Sequence, residues 1–158
     1  MNKYMEEANN LARDNLKTKA GGPFGACVVK DGEIIGKGAN HVLSANDPTA
    51  HAEIMAIRDA CSKLNTYDLS DCEIYTTCYP CPMCLSAIIW ANIKTVYYGN
   101  TKHDAENIGF RDDFIYDFIF DLKSNDGDNN VLKLTKMDRD ETIKVFDEYK
   151  NSDDNEIY

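Results

Sequence analysis

Three residues of the chain could hold a metal and a fourth could move a proton beside it: His51-Ala52-Glu53 is followed by Pro80-Cys81-Pro82-Met83-Cys84. Zinc prefers nitrogen and sulfur donors, and a catalytic zinc commonly takes three protein ligands and leaves one position for water. One histidine and two cysteines meet that requirement. Cys81 and Cys84, at i and i+3, project from one helical face and can reach a single ion, with His51 arriving from a second helix. Placing all three at helix starts favours thiolate over thiol and opposes protonation of the imidazole. Glu53 lies two residues from His51 and has no need to be a ligand. It can take a proton from a water whose pKa zinc lowers to about 7 and pass it to a substrate.

Other readings of the same residues stay open at this point. C-x-x-C alone occurs in structural zinc sites and in redox motifs, and only the added H-A-E argues for catalysis. The run Cys78-x-x-Cys81-x-x-Cys84 suggests an iron–sulfur site, but that pattern wants a further cysteine where Ile88 stands, so Cys78 reads as a buried strand residue. Cys27, Cys61 and Cys72 fall where a small apolar residue fits. His41 and His103 have no ligand partner at a recognisable spacing, which leaves them supporting or surface roles.

The elements that must position these residues follow from periodicity. Tyr4, Ala8, Leu11, Ala12 and Leu16 recur at helical spacing, and Ala20-Gly21-Gly22-Pro23 stops that first helix. Phe24 to Lys30 and Ile34 to Ala39 read as strands of a hairpin joined at Asp31-Gly32. Ala50 to Leu64 forms a buried helix with His51 and Glu53 in its first turn. Cys72 to Thr77 gives a strand, and a helix runs from about Cys81 to Ala91 with Pro82 tolerated at its start. Lys94 to Tyr98 gives another strand and Asp104 to Asn107 a short helix. Val131 to Thr135 is expected as a last strand before the helical pattern Ile143, Val145, Phe146, Tyr149. Strands alternating with helices predict an α/β sheet covered by helices. The polar stretch Lys123 to Asn130 reads as an exposed connection within one domain spanning 1–158.

Composition restricts the partners. With 27 acidic against 17 basic residues the formal net charge is -10, and the basic residues are dispersed, so the field repels a polyanion such as nucleic acid. Glu6, Glu7 and Asp14 interrupt the amino-terminal stretch, which has neither the apolar run of an export signal nor a membrane span. A cytoplasmic protein with six reduced thiols is the expectation.

H-x-E followed by P-C-x-x-C is the signature of the zinc nucleobase deaminases. Further segments match: Gly22-Pro23-Phe24-Gly25-Ala26, Asn46 to Glu53, Cys81 to Leu85, Gly109-Phe110 with Asp112, and Phe114-Ile115-Tyr116. Together they resemble the bacterial guanine deaminases of the cytidine-deaminase fold over nearly the whole length. The resemblance implies a three-layer α-β-α sandwich with a five-stranded mixed sheet, one zinc per subunit, and a homodimer that exchanges its carboxy-terminal segment. It implies a small purine substrate, with His51, Cys81 and Cys84 as zinc ligands and Glu53 as proton carrier. Asn40 would hydrogen-bond the purine, Asp112 would anchor the guanine edge or join the proton relay, and Phe24, Ala52, Trp90 and the terminal Tyr158 would line or close the pocket. Two positions depart from the family: Tyr79 stands where many relatives carry Glu, and Arg111 precedes Asp112 where an acidic residue is common. A guanosine or other heterocycle deaminase, a tRNA adenosine deaminase and a non-catalytic zinc-stabilised interaction domain are the competing readings.

Overall fold

Small residues on both faces of a hairpin decide how closely helices can approach it. In the computed structural model, which describes residues 1–121, 131–152 and 156, strands β1 (Gly25–Lys30) and β2 (Glu33–Ala39) pair antiparallel around Asp31-Gly32, both at positive φ. β3 (Cys72–Cys78) pairs antiparallel with β1, and β4 (Thr95–Asn100) pairs parallel with β3, giving the order β2-β1-β3-β4.

Helix α1 (Lys3–Thr18) packs on one face, where a Cβ on Gly25 would run into the backbone of Ala8. Asn2 caps its start by accepting from the amides of Tyr4 and Met5, and Lys19, in the left-handed region at φ 57°, ends it. The opposite face carries α3 (Ala52–Leu64): Gly36 and Gly38 lie directly under Ala52, Ala56 and Ala60, and a Cβ on either glycine would collide with the backbone of that helix. Ala26, Val28 and Ile74 from the sheet join Ala52, Ala56, Ala60 and Ile88 in the buried core on this side. Ile88 belongs to α4 (Pro82–Trp90). Helices on both sides of a mixed sheet make the expected α-β-α sandwich.

The fold corrects several expectations. The sheet has four strands among the described residues, not five. Val131 to Thr135 forms only an isolated bridge at Lys133, with Val131, Leu132 and Leu134 about half exposed. Alternating apolar and polar residues make a segment compatible with a strand, but a strand forms only where a neighbour supplies a ladder. Two helices were not anticipated: the single turn α2 (Val42–Ala45) and α6 (Asp113–Asp121). The short helix α5 (Lys102–Asn107) starts two residues earlier than expected, because Thr101 and Asp104 form a reciprocal capping box. The expected connection at Lys123 to Asn130 lies outside the described residues.

The chain divides into two compact units, Met1–Asp113 and Phe114–Tyr158. The second contains α7 (Arg139–Lys150), with an ion pair between Lys144 and Glu141 at 2.6 Å and a hydrogen bond from the Tyr149 hydroxyl to the Glu156 carbonyl. No helix of the described residues is long and apolar enough to cross a membrane.

Candidate metal centre

Strand direction gathers the chemistry at one edge of the sheet. β2 and β3 each run antiparallel to β1, and β4 runs parallel to β3. The carboxyl ends of β2, β3 and β4 therefore meet the amino end of β1. Asn40 follows β2, Cys81 follows β3 and Phe24 precedes β1.

His51 and Cys81 occupy the N-cap positions of α3 and α4, just outside the first turns in which they were expected. His51 has φ -73° and ψ 159°, and Cys81 has φ -65° and ψ 168°. These extended conformations aim both side chains off the helix starts. Cys84 lies within the first turn of α4 and is fully buried. The loop before His51 is held by Asp47, which accepts from the amide and hydroxyl of Thr49 at 2.8 and 2.7 Å.

The donor atoms converge. His51 Nδ1 stands 3.5 Å from Cys81 Sγ and 3.6 Å from Cys84 Sγ, and the three donors lie within 4.8 Å of one another. A tetrahedral zinc with its usual bond lengths separates a nitrogen and a sulfur ligand by about 3.6 Å. The residues present therefore fit zinc in both donor type and spacing.

Between the two sulfurs alone, charge is divided unequally. The hydrogen bond from Cys84, helped by His51, lowers the Cys81 thiol to about 4, while the Cys81 sulfur and burial push Cys84 far upward. The same Cys81 contact raises His51. A divalent cation replaces the shared proton with a charge that both thiolates face.

Glu53 follows Ala52 into the first turn of α3 and is 6% exposed. It takes no place in the donor cluster. Burial raises its carboxyl above the ordinary range, opposed by hydrogen bonds that include one from Thr76. The Thr76 hydroxyl, 2.9 Å from Glu53 Oε1, is the main site residue that sequence reasoning missed. Its signal was available: Thr76 shares the alternating register of Ile74, on the α3 side of β3, where a buried hydroxyl needs a polar partner.

The other expected site residues are placed as follows. Asn40 is buried at the end of β2. Ala52 is fully buried at the first position of α3. Phe24 meets Phe110 edge-on, with ring centroids 5.0 Å apart. Asp112 is half-buried, and its carboxyl is raised by burial and by the Cys81 charge, against a lowering pull from Lys102. Trp90 ends α4 at 68% exposure. Tyr158 lies outside the described residues. Tyr79, one of the two departures, meets Tyr98 edge-on and receives the Lys102 ammonium 4.7 Å from its ring centroid. Arg111, the other, bonds Asp113 at 2.9 Å.

The remaining cysteines and histidines stay out of the centre. Cys78 is buried, its thiol pushed up to about 11 chiefly by burial; Cys27 and Cys72 are buried and Cys61 half-buried, and all are free thiols. His41 contacts Ser44 at 3.1 Å, and His103 is an exposed neighbour of Glu106.

Residues 1–100 match the family described as the cytidine and deoxycytidylate deaminase zinc-binding region. The chain is 43% identical to guanine deaminase of Bacillus subtilis over 148 residues, 94% of this chain and 92% of that protein. The X-ray structure of that organism's guanine deaminase superposes with a TM-score of 0.92, at 42% identity, over 100% of this chain and 99% of that one. A tRNA-specific adenosine deaminase of Aquifex aeolicus is 50% identical over 83 residues, 51% of this chain and 55% of that protein. With a matched zinc-binding region that contains His51, Glu53, Cys81 and Cys84, the chain belongs to the cytidine and deoxycytidylate deaminase family.

Proposed function

We propose that the chain hydrolyses guanine to xanthine and ammonia, using one zinc per subunit held by His51, Cys81 and Cys84. The observation that carries the chemistry is the position of Glu53: buried, hydrogen-bonded by Thr76 and outside the ligand set. A purely structural zinc gives that carboxylate no work, and the non-catalytic interaction domain is disfavoured for that reason. Zinc bound here supplies a Lewis acid that makes water acidic enough to react near neutral pH. Glu53 accepts the proton released and returns it to the departing amine, so that a carbon–nitrogen bond at C2 is exchanged for a carbon–oxygen bond.

The choice of base rests on the likeness to the Bacillus guanine deaminase, which runs along 94% of this chain. In this reading Asn40 hydrogen-bonds the purine and Asp112 holds the guanine edge or extends the relay. Phe24, Ala52 and Trp90 line the pocket and Tyr158 closes it. A single catalytic domain over 1–158, a cytoplasmic location and a homodimer with exchanged carboxy-terminal segments belong to the same proposal. Exposed Ile89, Trp90, Tyr97 and Tyr98 give such a dimer apolar surface to cover.

The test is ammonia release from guanine, guanosine, adenosine and a tRNA anticodon stem, assayed side by side with zinc-loaded protein. Turnover of guanine is expected, and its absence at neutral pH overturns the substrate assignment. Turnover of the RNA favours the second reading, supported by the Aquifex relative and opposed by the net charge of -10. Glu53→Gln should keep zinc and lose at least about a hundredfold in kcat. Retained activity defeats the proton-carrier role.

A further inference from the structure

Asn15 is a buried polar residue on α1, 4% exposed, that the reaction itself does not call on. Its amide nitrogen donates to two carbonyls from separate segments: Gly22 at 2.9 Å and Asn40 at 2.7 Å. Its amide oxygen accepts from the Thr18 hydroxyl at 3.2 Å. Both donors and the acceptor are engaged, so the side chain has one arrangement that satisfies it.

The two clamped carbonyls belong to the proposed base-binding elements. Asn40 is held at three further points. Its backbone amide donates to the Phe24 carbonyl at 3.1 Å, and its Oδ1 accepts from the Val42 amide at 3.1 Å. A Cβ on Gly21 would collide with both its side chain and its carbonyl. With Oδ1 committed, Nδ2 is the group left to face a ligand, and among the described residues it is not a buried donor lacking a partner. Gly22 sits under Phe24 and Phe110, where a Cβ would press on both rings, and its carbonyl also accepts from the Phe24 amide at 2.8 Å. A shift of Asn15 would therefore move a hydrogen-bond donor and an aromatic wall together.

We propose that Asn15 is a positioning residue for substrate binding, fixing Asn40 Nδ2 and the Phe24 ring relative to each other through the carbonyls of Asn40 and Gly22. It rests on the reading of Asn40 as a purine-binding residue, and it extends the binding machinery to a helix on the face of the sheet away from α3. The hydrogen bonds of the Asn15 side chain go to Gly22, Asn40 and Thr18 and not to the donor cluster or Glu53, so its loss acts on recognition and leaves proton transfer in place.

The experiment compares Asn15→Ala, the isosteric Asn15→Asp, Asn40→Ala and the double variant, each zinc-loaded and checked for folding by circular dichroism. Asn15→Ala and Asn15→Asp should raise KM for guanine roughly tenfold with kcat within about twofold, as expected for misplacing one ground-state hydrogen bond. The double variant should fall short of the product of the two single effects, because the part of the Asn15 effect that runs through Asn40 is already lost and only the part that runs through Phe24 is left; full multiplicativity overturns the coupling. Where Asn15→Ala does not fold, Asn15→Asp and Asn15→Ser carry the same comparison. If Asn40→Ala raises KM and the Asn15 variants do not, the positioning role is overturned while the Asn40 assignment stands. If Asn40→Ala leaves KM unchanged, the base-binding assignment and this inference fall together. A fall in kcat at constant KM for the Asn15 variants also overturns it.

Discussion

The hydroxyl of Thr76 lies 2.9 Å from Oε1 of Glu53, and both side chains are shut off from solvent, at 1% and 6% exposure. A carboxylate on a helix start could adopt several rotamers; a fixed donor on the sheet beneath selects one of them. Thr76→Val keeps the shape and removes the donor. It is expected to lower kcat about tenfold, the order of one hydrogen bond to a charged group, with KM and zinc content unchanged. Thr76→Ser should recover most of the loss. Steady-state kinetics with metal analysis decide the matter, and a fall confined to KM would count against it.

Burial raises the Glu53 carboxyl, so the folded state holds that proton more tightly than the unfolded chain does. The sign follows: the fold loses stability as pH climbs from the ordinary glutamate value through the raised one, and keeps that loss at neutrality. Glu53→Gln has no charge to bury. In chelator-treated protein it should melt a few degrees above the parent at pH 7 and converge with it near pH 4. Thermal scans across that range test the prediction, and equal midpoints at pH 7 would contradict it.

Zinc bound to the folded chain alone stabilises it by mass action, about 2.7 kcal/mol when the free metal is a hundredfold above its dissociation constant. Chelation should lower the melting temperature by roughly 5–10 °C. Cys84→Ser should reproduce that deficit and abolish its response to added zinc, since Cys84 is the fully buried donor of the cluster.

Gly38 lies against the backbone of α3 beside Ala52, one residue after His51. Gly38→Ala inserts a methyl where the helix already sits. It is expected to cost about 1–3 kcal/mol and to weaken zinc binding, because the displaced helix start carries the histidine ligand. Denaturant unfolding and competitive zinc titration measure the two effects separately.

How much of this was legible in the sequence differs by residue. His51, Cys81 and Cys84 were readable because metal ligation restricts both residue type and spacing, and the structure brings their donors together. Helices α1, α3 and α4 and strands β1 to β3 were readable because each carries buried residues at its own period, whereas the single turn α2 buries none and left no such pattern. The N-cap placement of His51 and Cys81 was not, since periodicity marks a helix face and says little about its first residue. Thr76 and Asn15 were hidden for another reason. Their partners are 23 and 25 residues away in the chain, and a threonine in a strand or an asparagine in a helix carries no mark of such a contact. The strand expected at Val131 to Thr135 shows the limit from the other side: Leu132 and Leu134 alternate with polar residues, yet among the described residues the segment forms only the isolated bridge at Lys133.

The antiparallel turn at Asp31-Gly32 lies at the end of the hairpin opposite to Phe24 and Asn40. One rim of the sheet can vary with the molecule to be recognised while the other answers only to folding. The far turn is thus a natural attachment point for a fluorophore, tether or fused module. New recognition could be sought in the loops after β2, β3 and β4 without redesigning the sheet that holds them.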